Sequence, residues 1–158
     1  MKKWGLYEWS IILFFIVVPF SAIGTESLLF RSIRPLTEIA FKWFVFSGIG
    51  LRLGGAGIKQ IIQPRFTARE IFKIQDDGVL PLVRELGFAN VCFSAVALAS
   101  LFVPTFRIPA AIAGGLYFGL AGLLHVTKSK ESSEEIFAMV SDIFIFLVLG
   151  ILMVISLK

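Results

Sequence analysis

Residues 136–157 read IFAMVSDIFIFLVLGILMVISL, twenty-two positions with a single charged side chain, Asp142. A helix that crosses a bilayer needs about 20 mainly apolar residues, and an ionisable group at its centre costs on the order of 2.5–3.5 kcal/mol on insertion scales. The stretch therefore predicts a transmembrane helix, with a buried carboxyl that calls for a reason. Outward from it, four more apolar stretches occupy roughly 9–30, 39–63, 82–103 and 107–127. The expectation is an all-α membrane protein, a bundle of five transmembrane helices forming one domain over 1–158. No linker rich in Pro, Ser or charge divides the chain.

Composition agrees. With 57% hydrophobic residues, 16% charged and a mean hydropathy of +0.88, a soluble domain of this length would lack the polar residues to cover its surface. The net charge of +4 does not point to nucleic acid, because the bases cluster in short loops beside the spans. They report topology, and the partner they imply is the lipid bilayer. Cys92 is the only cysteine, which excludes an intrachain disulfide and a cysteine-based metal cluster.

Lys2 and Lys3 before an apolar run from Ile11 to Phe20 resemble the start of a secretory signal, with Ala22-Ile23-Gly24 an imitation of a cleavage site. An uncleaved first span, anchored by Trp4, Tyr7 and Trp9, is the better reading. With a cytoplasmic N-terminus, the inner side holds nine bases (Lys2, Lys3, Lys59, Arg65, Arg69, Lys73, Arg84, Lys128, Lys130). The outer side holds five (Arg31, Arg34, Lys42, Arg107, Lys158). This favours N-terminus in and C-terminus out.

The loop 64–81 is more than a connector. Pro64 should stop the second span. Thr67-Ala68-Arg69-Glu70 reads as a capping box opening a short interfacial helix, about 67–75, with Ile71, Phe72 and Ile74 on one side. Asp76-Asp77-Gly78 ends it, and Pro81 suits the first turn of the third span. Ser133, Glu134 and Glu135 supply cap and acid at the start of the fifth. Spans two and four carry Gly48, Gly50, Gly54, Gly55 and Gly57, and Gly114, Gly115, Gly119 and Gly122. Such small residues let backbones approach closely, so these helices are expected to pack inside or to form a homo-oligomer seam.

The embedded polar residues are Arg52, Glu85, Asn90, His125 and Asp142. At 1.5 Å of rise per residue all five fall in the cytoplasmic half. Gly87, Asn90, Ser94 and Ala97 form one small, weakly polar stripe, and Phe118, Ala121, Gly122 and His125 share another helix side. Glu85 is about 140° from Asn90 around the helix and would pair near the interface with Arg84, Lys59 or His125. Each residue has a structural reading beside the functional one. Arg52 with Asp142 reads as an interhelical salt bridge or as a binding site; Asn90 as interhelical glue; His125 as an interfacial residue or a ligand contact. No catalytic or metal spacing and no phosphate-binding glycine loop is present, so an enzyme is disfavoured.

The run Arg84-Glu85-Leu86-Gly87-Phe88-Ala89-Asn90 after Pro81, then Gly119-Leu120-Ala121-Gly122-Leu123-Leu124-His125 and Asp142, resembles a family of small bacterial membrane proteins, domain of unknown function 6790, over about 48–157. Where that pattern implies a histidine before the loop proline, this chain has Lys59-Gln60. A looser similarity, through Arg52, Leu53, Gly57, Lys59, Glu85, Arg107, Ala110, Ala111 and His125, extends to DoxX-like membrane proteins. It implies a four-helix core of spans two to five, the bacterial cytoplasmic membrane, and a quinone or lipid as ligand. The leading expectation is a non-enzymatic membrane protein whose inner-leaflet polar pocket binds a small ligand or holds a membrane partner protein. Its rivals are a quinone-linked redox subunit, with the ligand against Arg52 and His125, and a proton-coupled small transporter working through Asp142.

Overall fold

A computed structural model describes residues 5–29, 35–126 and 133–157. These are mainly helical, with no strand among the described residues: α1 (6–29), α2 (36–62), α3 (64–71), α4 (Leu80–Ala99), α5 (Arg107–Val126) and α6 (Ser133–Ser156). Four stretches are long and apolar enough to cross a membrane: Tyr7–Leu28, Asp77–Ala99, Pro104–Val126 and Ile136–Ser156. The expected span at 39–63 is not among them. Its helix, α2, is the longest but carries Glu38, Lys42, Arg52 and Lys59.

The reason is α2's position in the bundle. Phe41, Phe44, Val45, Ser47, Gly48, Ile49, Gly50, Leu53, Gly57 and Gln60 are all buried along it, so its neighbours are helices rather than lipid. A helix surrounded by protein does not need the hydropathy of one bathed in hydrocarbon. The core around it joins Phe15 of α1, Ile49 of α2, Phe118 of α5, and Ile145 and Leu149 of α6. Phe15 and Phe118 meet edge to face with centroids 5.7 Å apart.

Two glycine seams set the helix spacing, because in lipid helix association rests on close packing rather than on hydrophobic burial. Along α2 and α4, a Cβ on Gly57 would lie 2.7 Å from the Gly87 carbonyl oxygen, one on Gly87 2.9 Å from that of Gly57, and one on Gly50 2.8 Å from Leu98. Along α5 and α6, a Cβ on Gly119 would lie 2.8 Å from Phe146 and one on Gly122 2.8 Å from Ile143. Gly114 of α5 faces Ile49 of α2, where a Cβ would stand 2.7 Å away. Gly55 is different: it is exposed, and a methyl group there would meet nothing within 4 Å.

The connection after α2 departs from its sequence reading. Gln63, at φ −127° and ψ 57°, breaks the helix, and Pro64 begins α3 three residues before the expected start. Thr67 therefore sits inside α3, buried, and no side-chain cap forms. Proline at a first helical position leaves no orphan donor of its own, and that fixes the start. Thr67 and Ala68 turn toward the bundle, while Phe66, Ile71, Phe72 and Ile74 are exposed. Asp76 then accepts a 2.8 Å hydrogen bond from the Gly78 amide, and Pro81 lies in the first turn of α4 as expected. The bases Lys2, Lys3, Arg31, Arg34, Lys128, Lys130 and Lys158 and the side chains of Ser133, Glu134 and Glu135 lie outside the described residues.

Candidate functional site: a polar cluster inside the bundle

Arg52, Asn90 and Asp142 each lie nine or ten residues from the same end of the bundle. The distances run from Ile62 on α2, from Leu80 on α4 and from Ser133 on α6, which is about 13–15 Å at 1.5 Å per residue. Tyr117 of α5 joins them at nine residues from Val126. The helices bring four polar groups to one depth.

Asn90 is 1% exposed and points at α2, where its Nδ2 donates to Gln60 Oε1 at 2.8 Å. Its neighbours on the buried face of α4 are Val83, Gly87, Ser94 and Ala97, which includes the whole stripe that the 3.6-residue period picks out. Ser94 Oγ donates to the Gly50 carbonyl at 2.7 Å. The Tyr117 hydroxyl approaches Asn90 from α5. Asn90 Oδ1 is nevertheless buried without a well-formed hydrogen bond.

Arg52 lies under the first turns of α1. Its guanidinium carbon is 5.3 Å from the centre of the Tyr7 ring. A cation over an aromatic face gains about 0.5–2 kcal/mol when desolvated. Its Nε is buried and has no partner. Asp142 sits across from it, beside Gly122, where a Cβ would lie 3.6 Å from the Asp142 Cβ. The Arg52 charge acts on Asp142 and on both tyrosines. Among the described residues, though, no ion pair within 4.0 Å joins Arg52 to Asp142. In place of the expected salt bridge, Arg52 and Asp142 lie one helical turn beyond the contact of Gly48 on α2 with Ile145 on α6, and do not pair.

The other two expected site residues stand apart. His125 is half-buried on the last turn of α5, one turn below Gly122, and its Nδ1 is buried without a partner. Glu85 is exposed on α4, away from the face of Asn90, and neither Arg84 nor Lys59 pairs with it among the described residues. Lys59 stacks instead on the Phe66 ring, 3.5 Å from its centre. The 140° between Glu85 and Asn90 leaves Glu85 outside the cluster. No group of three or more His, Cys, Asp or Glu among the described residues has the arrangement to hold a metal.

Sequence reasoning missed three members. Tyr7 looks like an interfacial anchor, Tyr117 like one more aromatic in an apolar helix, and Gln60 like a helix-end residue. The usable signal was register: Tyr117 lies one residue from Phe118 and one helical turn from Ala121, on the helix that carries His125. It also missed the opposite end of the bundle. There Glu26 of α1 pairs with Lys42 of α2 and accepts from Trp43 Nε1 at 2.7 Å.

The central helix of the bundle thus carries an arginine at the depth of an asparagine and an aspartate from two other helices. The chain belongs to the family of unknown function DUF6790, whose family model matches residues 9–158. No curated protein and no solved structure matches, and the similarity to DoxX-like proteins is not shown.

Proposed function

We propose that this chain is a non-enzymatic, five-span protein of the bacterial cytoplasmic membrane that binds a small ligand at the cluster of Tyr7, Arg52, Asn90, Tyr117 and Asp142. The observation that carries this reading is three of the buried side-chain atoms left without partners: Arg52 Nε, Asn90 Oδ1 and, nearer the helix ends, His125 Nδ1. Buried polar groups are paired in more than about nine cases in ten. Three orphans on facing helices, beside opposite charges held apart, fit a site that an additional molecule completes.

The fifth span is α2. Its 27 residues, 36–62, reach about 40 Å at 1.5 Å per residue, and α1, α4, α5 and α6 screen it from lipid. The N-terminus is then cytoplasmic and the C-terminus outside, with α3 along the inner headgroup layer, its exposed Phe66 and Ile71 among Arg65, Arg69 and Lys73. A reporter fused after Lys158 should be periplasmic and one inserted at Asp77-Gly78 cytoplasmic. Reversed labelling, with Asp77-Gly78 periplasmic and Lys158 cytoplasmic, would overturn this topology.

Binding is tested by native mass spectrometry of the chain extracted from its own membrane in lipid nanodiscs. The wild type should retain a small molecule that Asn90→Ala and His125→Ala lose at unchanged folded yield. Loss of folded protein in both variants, with no molecule on the wild type, would make these residues packing elements only.

A further inference from the structure

A membrane-embedded site that holds one cation and one anion is formally neutral, and that constrains what it can take. A ligand with a single charge would leave a net charge in the hydrocarbon, where an uncompensated ion is costly. Arg52 and Asp142 lie one helical turn beyond the contact of Gly48 on α2 with Ile145 on α6, and closing the site with water alone would leave the two without a direct partner, because no ion pair within 4.0 Å joins them. The hydrogen-bonding groups are also of both kinds. At Arg52 the guanidinium and the Tyr7 hydroxyl donate. At Asp142 the carboxylate accepts, and Asn90, 1% exposed and at the same depth, adds an unpartnered acceptor in Oδ1. Tyr117 stands between, within reach of the charges of both Arg52 and Asp142.

We propose that this site takes a zwitterion, a molecule with a carboxylate or phosphate for Arg52 and Tyr7 and a protonated amine for Asp142 and Asn90 Oδ1. The inference rests on the binding role proposed above and adds the ligand's chemistry to it. An anion of this kind suits the planar guanidinium, and a primary ammonium offers three donors to acceptors such as a carboxylate and an amide oxygen. The source is either a free amino acid or the headgroup of an ethanolamine phospholipid. The depth of about 13–15 Å from the helix ends favours the free solute.

The test uses the full chain in phosphatidylcholine nanodiscs, probed by calorimetry and thermal melting. The probes are glycine, β-alanine, 4-aminobutyrate and 6-aminohexanoate, which space the two charges progressively, with acetate and methylamine as single-charge controls. One spacing should bind at one per chain and raise the melting temperature, while both controls leave it unchanged. Arg52→Met and Asp142→Asn should each weaken that binding by at least about tenfold, the loss expected for one charge-assisted bond. Should either variant fail to fold, Tyr7→Phe keeps the ring over Arg52, removes the hydroxyl, and should weaken binding by a smaller factor. Stabilisation by phosphatidylethanolamine nanodiscs in place of the soluble series would assign the same chemistry to a lipid headgroup. If no zwitterion from either source binds, or if acetate or methylamine does equally well, the inference is overturned. A neutral or singly charged molecule retained in the native mass spectrum would overturn it while leaving the binding role intact.

Discussion

The helix α2 carries two basic residues into the bundle, and the protein treats them in opposite ways. Lys42, near the N-terminal end of α2, is closed off: it pairs directly with Glu26, the Trp43 indole donates to the same carboxylate, and the two charged side chains are only 12% and 17% exposed. Arg52, ten residues on, meets Asp142 without contact and keeps a buried Nε unpartnered. The outer pair is a finished joint between α1 and α2. The inner pair, by contrast, is left incomplete, and an incomplete polar arrangement in hydrocarbon persists only where something else completes it.

The largest effect should come from breaking the finished joint. Lys42→Met strands Glu26, and removing one partner of a buried pair costs about 3–5 kcal/mol, whereas removing both is close to neutral. A double-mutant cycle of Lys42→Met with Glu26→Gln, read by denaturation in nanodiscs, should therefore show strong coupling. The same cycle on Arg52→Met and Asp142→Leu should show less, since those charges do not touch. Stronger coupling at the inner pair would mean that the gap closes in the membrane, and with it the contrast between the two ends.

Next come the seams that hold the two regions at fixed spacing. Gly57→Ala sets a methyl against the Gly87 carbonyl at 2.7 Å, a backbone atom that cannot step aside. Overpacking of this kind costs about 1–3 kcal/mol. Gly55→Ala points into open space on the same helix and should be neutral or slightly stabilising. Equal losses at both positions would show that helix propensity, not the seam, sets the response.

The site itself divides stability from binding more finely. Asn90→Ala removes the bond to Gln60, and hydrogen bonds between membrane helices average about 0.6 kcal/mol with a maximum near 1.7. Stability should fall by no more than about 1 kcal/mol while the ligand is lost. A drop several times larger would make Asn90 an interhelical tie first and a binding group second.

These contrasts also show what a reader of the sequence can and cannot see. The buried stripe of Gly87, Asn90, Ser94 and Ala97 was legible because one unbroken α-helical turn of 3.6 residues orders α4. Asp142 was legible because a lone acid in an apolar run has few explanations. Arg52's setting was not, since a π-helical segment over Val45–Leu51 shifts the phase of everything after it. Tyr7 and Tyr117 were hidden by their chemistry: an aromatic ring with one hydroxyl is equally at home at an interface, in a core or in a site. Pro64 carries two opposite signals, a stop for the helix before it and a start for the one after, and the structure uses both.

The smallest expected effect lies at the loop between α3 and α4, where Asp77 receives Arg65 Nη2 at 2.9 Å and Arg69 Nη2 at 3.0 Å. Here the same carboxylate–cation chemistry that locks Lys42 stands in water: the side chains are 43–66% exposed. Exposed pairs gain little, because solvent and salt screen them and long side chains must be ordered to form them. Asp77→Asn should therefore leave the global melting temperature unchanged. What it should change is local: the two arginines tie α3 to the turn before α4, and without Asp77 the segment 64–79 should be cut faster by trypsin at Arg65 and Arg69. Raising the salt from low to about 1 M, where the screening length falls to roughly 3 Å, should accelerate cleavage of the wild type toward the rate of the variant and leave the variant nearly unaffected. A salt-independent cleavage rate in the wild type would show that Thr67 and Ala68, packed on the bundle, hold α3 in place and that the ion pairs on its surface hold nothing.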